Sequence, residues 1–308
     1  MSILAKYSRT PSFYYALPSN NYFYDLSESD MSAINEVGVM PLTVLNHLSL
    51  KNPEKLFNGI AIEEIMRDCT TIRSINPRDI LKCDVDFLLV GTKIATNGST
   101  QSVRVQCPTC NEVHDYMINI ESLLNKSTRH KKAYYVDIQV GLAEDRVTQN
   151  KLRIYVRPNT LGEFLRLEQE AFEDQKQIAA IQHDLSQITD ESSFTEDDER
   201  NIMSKINTIL SELTVDTMRI YSNTIQKIVV LDSDNNETMD YEDDKDAIFN
   251  FLLQLSESNY GNVKELISEI NGVGINNIIP LTCQEDECEH KWDYTFEINM
   301  SDFFGVDS

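Results

Sequence analysis

Along the chain, apolar positions change period several times, and each change marks an element. Phe13-Tyr14-Tyr15-Ala16-Leu17 and Tyr22-Phe23-Tyr24 flank Pro18-Ser19-Asn20-Asn21, which predicts a strand pair closed by a turn. After Pro41-Leu42-Thr43 the spacing becomes helical. Leu45, Leu48 and Leu50 form one group, Ile60, Ile62, Ile65 and Met66 follow Asn52-Pro53, and Ile80, Leu81 and Phe87 to Val90 follow Asn76-Pro77. Short helices with prolines near their starts are expected. Asn97-Gly98-Ser99 breaks this pattern, and period-2 runs at Val103, Val105, Met117, Ile118 and Ile120 surround Cys107-Pro108-Thr109-Cys110, predicting strand, cysteine knuckle, strand.

Tyr134 to Val140 and Leu152 to Val156 then predict a second hairpin, followed by Pro158-Asn159-Thr160 and a helical stretch from Leu161 to Ile188. An acidic loop, Thr189 to Phe194, separates it from a second helix through Ile202, Ile206, Ile209, Leu210, Leu213 and Met218, capped at Thr195. Two such helices joined by a short loop pack as an antiparallel arm over about 161–221. Ala247 to Leu255 and Val263 to Ile270 predict shorter helices, with Gly272 as a stop, before strand, knuckle and strand return.

The two knuckles share flanking residues. Val103-x-Val105-x-Cys107 matches Ile279-x-Leu281-x-Cys283, and Asp115-Tyr116 lies as far beyond Cys110 as Asp293-Tyr294 lies beyond Cys288. Ile118 and Ile120 correspond to Phe296 and Ile298. The expected fold class is therefore α+β, with two related halves, 1–132 and 133–308. Each half would hold a β-hairpin, helices and a strand–knuckle–strand, and the second would carry the helical hairpin as an insertion.

Fifty acidic residues against twenty-seven basic ones give a formal charge of -23, so a phosphate backbone would be repelled and nucleic-acid binding is not expected. The dense basic cluster Arg129, His130, Lys131 and Lys132 lies between structured stretches and is expected to be a solvated linker. No run approaches the ~20 apolar residues that span a bilayer, and Met1 to Tyr7 has no apolar signal core, so neither membrane insertion nor export is expected. In the reducing cytosol, paired cysteines are metal ligands before they are disulfides.

Cys107-x2-Cys110 and Cys283-x4-Cys288 each allow two thiolates to reach one ion, and together they make a closed tetrahedral site for one structural zinc. His114 and His290 lie close enough in sequence to replace a thiolate or build a second site, and reduced, unliganded cysteines are the remaining alternative. A redox role would want Cys107 at a helix N-terminus, whereas strands are expected on both sides. Cys69 and Cys83 stand alone on helical stretches, as small buried hydrophobes do. Asp232-x-Asp234-x-Asn236-x-Thr238-x-Asp240 has alternating oxygen ligands, but Glu237 and Asp243 stand where a calcium loop needs glycine and glutamate, so an acidic turn of a strand pair is expected. No glycine-rich phosphate loop, His-Glu-x-x-His or glycine-flanked serine is present, and neither an enzyme nor a small-molecule substrate is expected.

The stretch Asp84-Val85-Asp86-Phe87-Leu88-Leu89-Val90-Gly91, with Gly98-Ser99, Cys107-x-x-Cys110 and Tyr116 to Leu124, resembles the baseplate hub subunit and hub assembly proteins of T-even-type contractile-tail phages. Pro41-Leu42-Thr43, repeated as Val156-Arg157-Pro158-Asn159-Thr160, and the ending from Cys288 through Phe303-Phe304 are similar as well. The resemblance implies a place in a virion tail baseplate assembled in the host cytoplasm, with phage tail and baseplate proteins as partners and no catalytic residues. The other function the knuckles allow is a zinc-ribbon adaptor that recruits a transcription or replication protein.

Overall fold

The computed structural model describes residues 9–141, 149–186, 215–296 and 298. Its architecture is α+β, helices with small antiparallel sheets. The chain forms two compact units: residues up to Lys132 together with those from Gly272 onward, and Ala133–Asn271. Both knuckles thus stand in the first unit.

In that unit, β1 (Phe13–Tyr15) pairs antiparallel with β2 (Val37–Val39), not with Tyr22–Tyr24 as the aromatic pattern predicts. Residues 18–23 form a turn in which Asn20 and Asn21 take left-handed φ of 52° and 61°, a conformation asparagine tolerates. The turn carries Tyr24 inward, where its hydroxyl donates to Asp84 Oδ2 at 2.8 Å and accepts the Leu81 amide at 3.0 Å. The polar tip of Tyr24, unreadable from an apolar count, therefore decides against a strand.

The helices follow α1 (Glu28–Ala33) as capped short pieces. A reciprocal box between Thr43 and Asn46 starts α2 (Val44–Leu50), Asn52 and Pro53 start α3 (Pro53–Phe57), and α4 (Ile60–Cys69) leads through a 3-10 turn at Pro77–Asp79 to α5 (Lys82–Asn97). α5 is the core of the unit, burying Val85, Leu88, Leu89 and Val90. At Gly91 an added Cβ would lie 2.9 Å from the Tyr15 ring, itself edge-on to Phe87 at 5.6 Å, so the glycine is required by close packing. Gly98, at φ 87°, ends the helix before β3 (Thr100–Gln106), β4 (Val113–Asn119) and α6 (Glu121–Asn125).

The second unit opens with the expected hairpin, β5 (Tyr134–Gly141) and β6 (Gln149–Val156), and a long helix, α7 (Leu161–Ser186). The acidic loop and most of the second arm helix fall outside the described residues; helix resumes as α8 over residues 215–224. Then come β7 (Ile225–Leu231), β8 (Glu237–Glu242), α9 (Lys245–Leu252) and α10 (Glu257–Asn271). The acidic segment between β7 and β8 is a turn, as its composition predicts: Asp232 Oδ1 accepts the amides of Asp234 (2.9 Å) and Asn236 (2.8 Å), and Asn235 is left-handed. The sheet, however, is larger than two separate pairs, because β6 also pairs with β7 and gives the order β5-β6-β7-β8. Beyond α10 the chain returns to the first unit with β9 (Ile278–Thr282) and β10 (Lys291–Thr295).

His130 departs from the expected solvated linker. It is only 3% exposed, its ring sits edge-on to Phe23 at 5.4 Å, and its Nε2 lies 3.4 Å from Cys83 Sγ. Its amide donates to Pro18 O and its carbonyl accepts from Asn20, so it fastens the 18–23 turn. Nearby Asp84 is fully buried, accepting the Ser19 amide at 2.9 Å as well as Tyr24.

Burial pushes the Asp84 carboxyl up from 3.8 to about 6 and the His130 imidazole down from 6.5 to about 4. The folded state thus holds an extra proton on Asp84 between those values, and that contribution to stability falls as pH rises from about 4 to 6. His130 does the opposite, because the unfolded chain binds the extra proton, and its contribution rises over about pH 4 to 6.5. Asp84→Asn should remove the falling arm, so stability of the variant relative to the parent should climb by about 3 kcal/mol between pH 4 and 6. Denaturant titrations at each pH measure this, and parallel pH profiles for the two proteins would contradict it.

Candidate metal centre

The two knuckles are built alike from backbone upward. In the first, the Cys107 amide donates to Glu112 O at 2.8 Å, and Asn111, just after Cys110, takes a φ of 62°. In the second, the Cys283 amide donates to His290 O at 2.8 Å, and Glu289, just after Cys288, takes a φ of 43°. The hairpins below have equivalent registers, with Val103 opposite Tyr116 and Ile279 opposite Tyr294. The spacing read from sequence is therefore a local structural repeat, and the second loop accommodates two more residues within the same closure.

These loops bring together four cysteines 173 or more positions apart in pairs. Cys107 Sγ lies 3.9 Å from Cys288 Sγ, Cys110 Sγ lies 3.6 Å from Cys283 Sγ, and all four sulfurs fall within 4.8 Å of one another. A tetrahedral ion with metal–sulfur bonds of about 2.3 Å requires sulfur–sulfur edges of about 3.8 Å. A disulfide would need about 2.0 Å, and all four are free thiols. The cluster is therefore compatible with one thiophilic ion.

The electrostatics agree with that fit. Burial alone would raise the Cys107 thiol, but the amides of Cys110 and Thr109 and the neighbouring thiols bring it down to about 7. The Glu285 amide favours the Cys283 thiolate, yet burial and the other three sulfurs push that thiol up to about 12. Thiolates this close repel one another, and a cation among them would balance that charge.

Other sequence candidates fall around or away from this cluster. His114 Nε2 approaches Cys283 Sγ at 3.5 Å from one side, and His114 itself stands outside the four-residue cluster. His290 stacks on Trp292 with centroids 5.9 Å apart and contributes its carbonyl to the loop. Cys69 and Cys83 are buried apart from the knuckles, as expected of lone helical cysteines; Cys69 Sγ meets Asn46 Oδ1 at 3.4 Å.

A model of the T4 bacteriophage base plate proteins matches residues 41–305, a span that contains all four clustered cysteines. The chain belongs to that family. Searches of curated proteins and of solved structures find no match.

The chain is thus a structural protein of a phage baseplate, and among its described residues no helix is long and apolar enough to cross a membrane. What joins the two hairpins of this baseplate protein beside the sulfurs went unread in its sequence. The Tyr116 hydroxyl donates to Thr282 O at 3.1 Å, its ring meets Trp292 edge-on at 6.1 Å, and Gln284 reaches the Asp115 carbonyl at 3.4 Å. Tyr116 and Trp292 are the aromatic members of alternating strands next to a knuckle, and that position was the available signal. Tyr116→Phe should lose the hydrogen bond alone, about 1 kcal/mol in denaturant unfolding, with metal content unchanged. Loss of metal in this variant would show that the hydroxyl, rather than the loops, sets the sulfur geometry.

Proposed function

We propose that this baseplate protein acts in the hub of a contractile tail, as a component or assembly factor binding other hub and tail proteins, and that one structural zinc ties its two knuckle hairpins. The observation that carries the reading is the four-sulfur cluster, whose edges suit zinc and whose loops offer amides to the thiolates. Family membership and the resemblance of Asp84 to Gly91 and the first knuckle to hub proteins support the place in the tail. Cys107, Cys110, Cys283 and Cys288 are the ligands in this reading, with His114 a hydrogen-bond partner of Cys283. Four thiolates close the coordination shell, so the ion leaves no open position for a substrate.

Purified protein should contain about one zinc per chain, and Cys107→Ser or Cys283→Ser should each abolish it. Because both act on one ion, the double variant should be scarcely less stable than either single one, in melting followed with metal analysis. Two zincs per chain, or additive losses, would show separate sites. The hub reading is tested by mass spectrometry of purified particles and assembly intermediates: the chain should be found with hub and tail proteins. Absence from both would overturn the placement.

A further inference from the structure

The four-stranded sheet ends at β8, which hydrogen-bonds to β7 on one side and to no other strand among the described residues. An edge strand is a template for pairing; here the register shift between Val229 and Leu231 and the carboxylates of Glu237, Asp240 and Glu242 blunt it against indiscriminate partners, so a strand that pairs with it must bring cations. Here two large apolar side chains stand in the open on it, Met239 at 97% and Tyr241 at 63% exposure. The Asp240 amide turns back on Thr238 Oγ1 at 3.2 Å, a contact that an incoming carbonyl replaces at little cost.

The other face of the same strand has a different chemistry. Tyr241 lies opposite Val229 and Glu242 opposite Ile228, so Asp240 and Glu242 point to the side of Ile228 and Val230. There a groove of about 390 Å³ runs between the sheet and α9, with Leu152, Ile228, Val230, Ile248 and Phe251 in its apolar floor and Asp240, Tyr241 and Glu242 along its β8 rim. From Asp232 to Asp244 the chain has seven acidic residues and no Lys or Arg. Glu237 is paired with Arg153, whereas Asp240, Glu242 and Asp243 have no ion-pair partner among the described residues.

We propose that β8 docks an extended segment of another tail protein as a fifth strand, and that this segment alternates apolar residues with Lys or Arg. The alternation follows from the pleat. Cross-strand neighbours of Met239 and Tyr241 must be apolar, and those of Asp240 and Glu242 must be cationic, their methylene stems lying over the groove floor. A second copy of β8 is disfavoured, because pairing the strand with itself brings carboxylates opposite carboxylates. The proposal rests on the baseplate reading for the identity of the partner, but the edge, the two exposed apolar residues and the acidic rim stand without it.

The test replaces Met239 with a photo-crosslinking amino acid in the full chain, expressed during infection, with and without Asp240→Lys and Glu242→Lys. Met239 and Asp240 are exposed and their replacement should leave the thermal midpoint unchanged, whereas Glu242→Lys also gives up the Asp243 and Asp244 amides that Glu242 Oε1 accepts, so Asp240→Lys alone serves as the stability-neutral charge reversal. The expected result is a crosslink to one extended segment of a tail protein that alternates apolar and Lys/Arg residues, reduced at least tenfold by the charge reversal. A crosslink to a second copy of this chain, a crosslink indifferent to the charge reversal, or none at all would overturn the proposal. Recovery of the unsubstituted chain with tail proteins is scored separately, so failure of the β8 interface is distinguishable from failure of the baseplate reading.

Discussion

Residues 107–110 and 283–288 meet at one point although an entire compact unit, Ala133–Asn271, lies between them in sequence. Bringing such distant segments together has a large loop-closure cost that hairpins of five to seven residues per strand do not meet by themselves. The Tyr116–Thr282 bond, the Tyr116–Trp292 contact and the paired bonds between Thr128 and Gly274 hold the closing segment to the first unit, and the sulfur cluster lies at the same junction. The local details follow from that requirement. Left-handed Asn111 and Glu289 aim each second cysteine back at its partner, and the closing bonds from Cys107 and Cys283 fix each first one.

The first unit also contains a buried polar cluster that fixes its core. Asp84 at the start of α5 is met by Ser19 and Tyr24 from the opening turn, and His130 fastens the same turn from the end of the segment. These groups order the turn by exchanging hydrogen bonds with one another where burial removes water as a partner. Their titrations act in opposite directions over nearly the same pH range, which leaves the unit less sensitive to pH than either group would make it.

The sequence was most legible where periodicity and capping agree. Thr43, Asn52 and Asn76 cap the helices that apolar spacing predicts, and Asn97-Gly98 ends α5. The knuckle hairpins were legible from the matched Val103 and Ile279 registers. Tyr22–Tyr24 misled because aromatic content resembles a strand whether or not a hydroxyl is needed in the core. His130 misled because its basic neighbours conceal one side chain that the fold buries. The pairing of β6 with β7 was hidden because α7, α8 and the residues between them separate two strands whose patterns each suit a simple hairpin. Sequence spacing also left His114 and His290 equal candidates, and only geometry puts one against a sulfur and the other on an indole.

In the proposed site one ion, bound by sulfur alone, joins the two distant hairpins. X-ray absorption at the zinc edge of the purified full chain tests it most directly. Four sulfur neighbours at about 2.3 Å with no nitrogen shell is the predicted spectrum. Imidazole scattering in the first shell, or protein without bound metal, would contradict it.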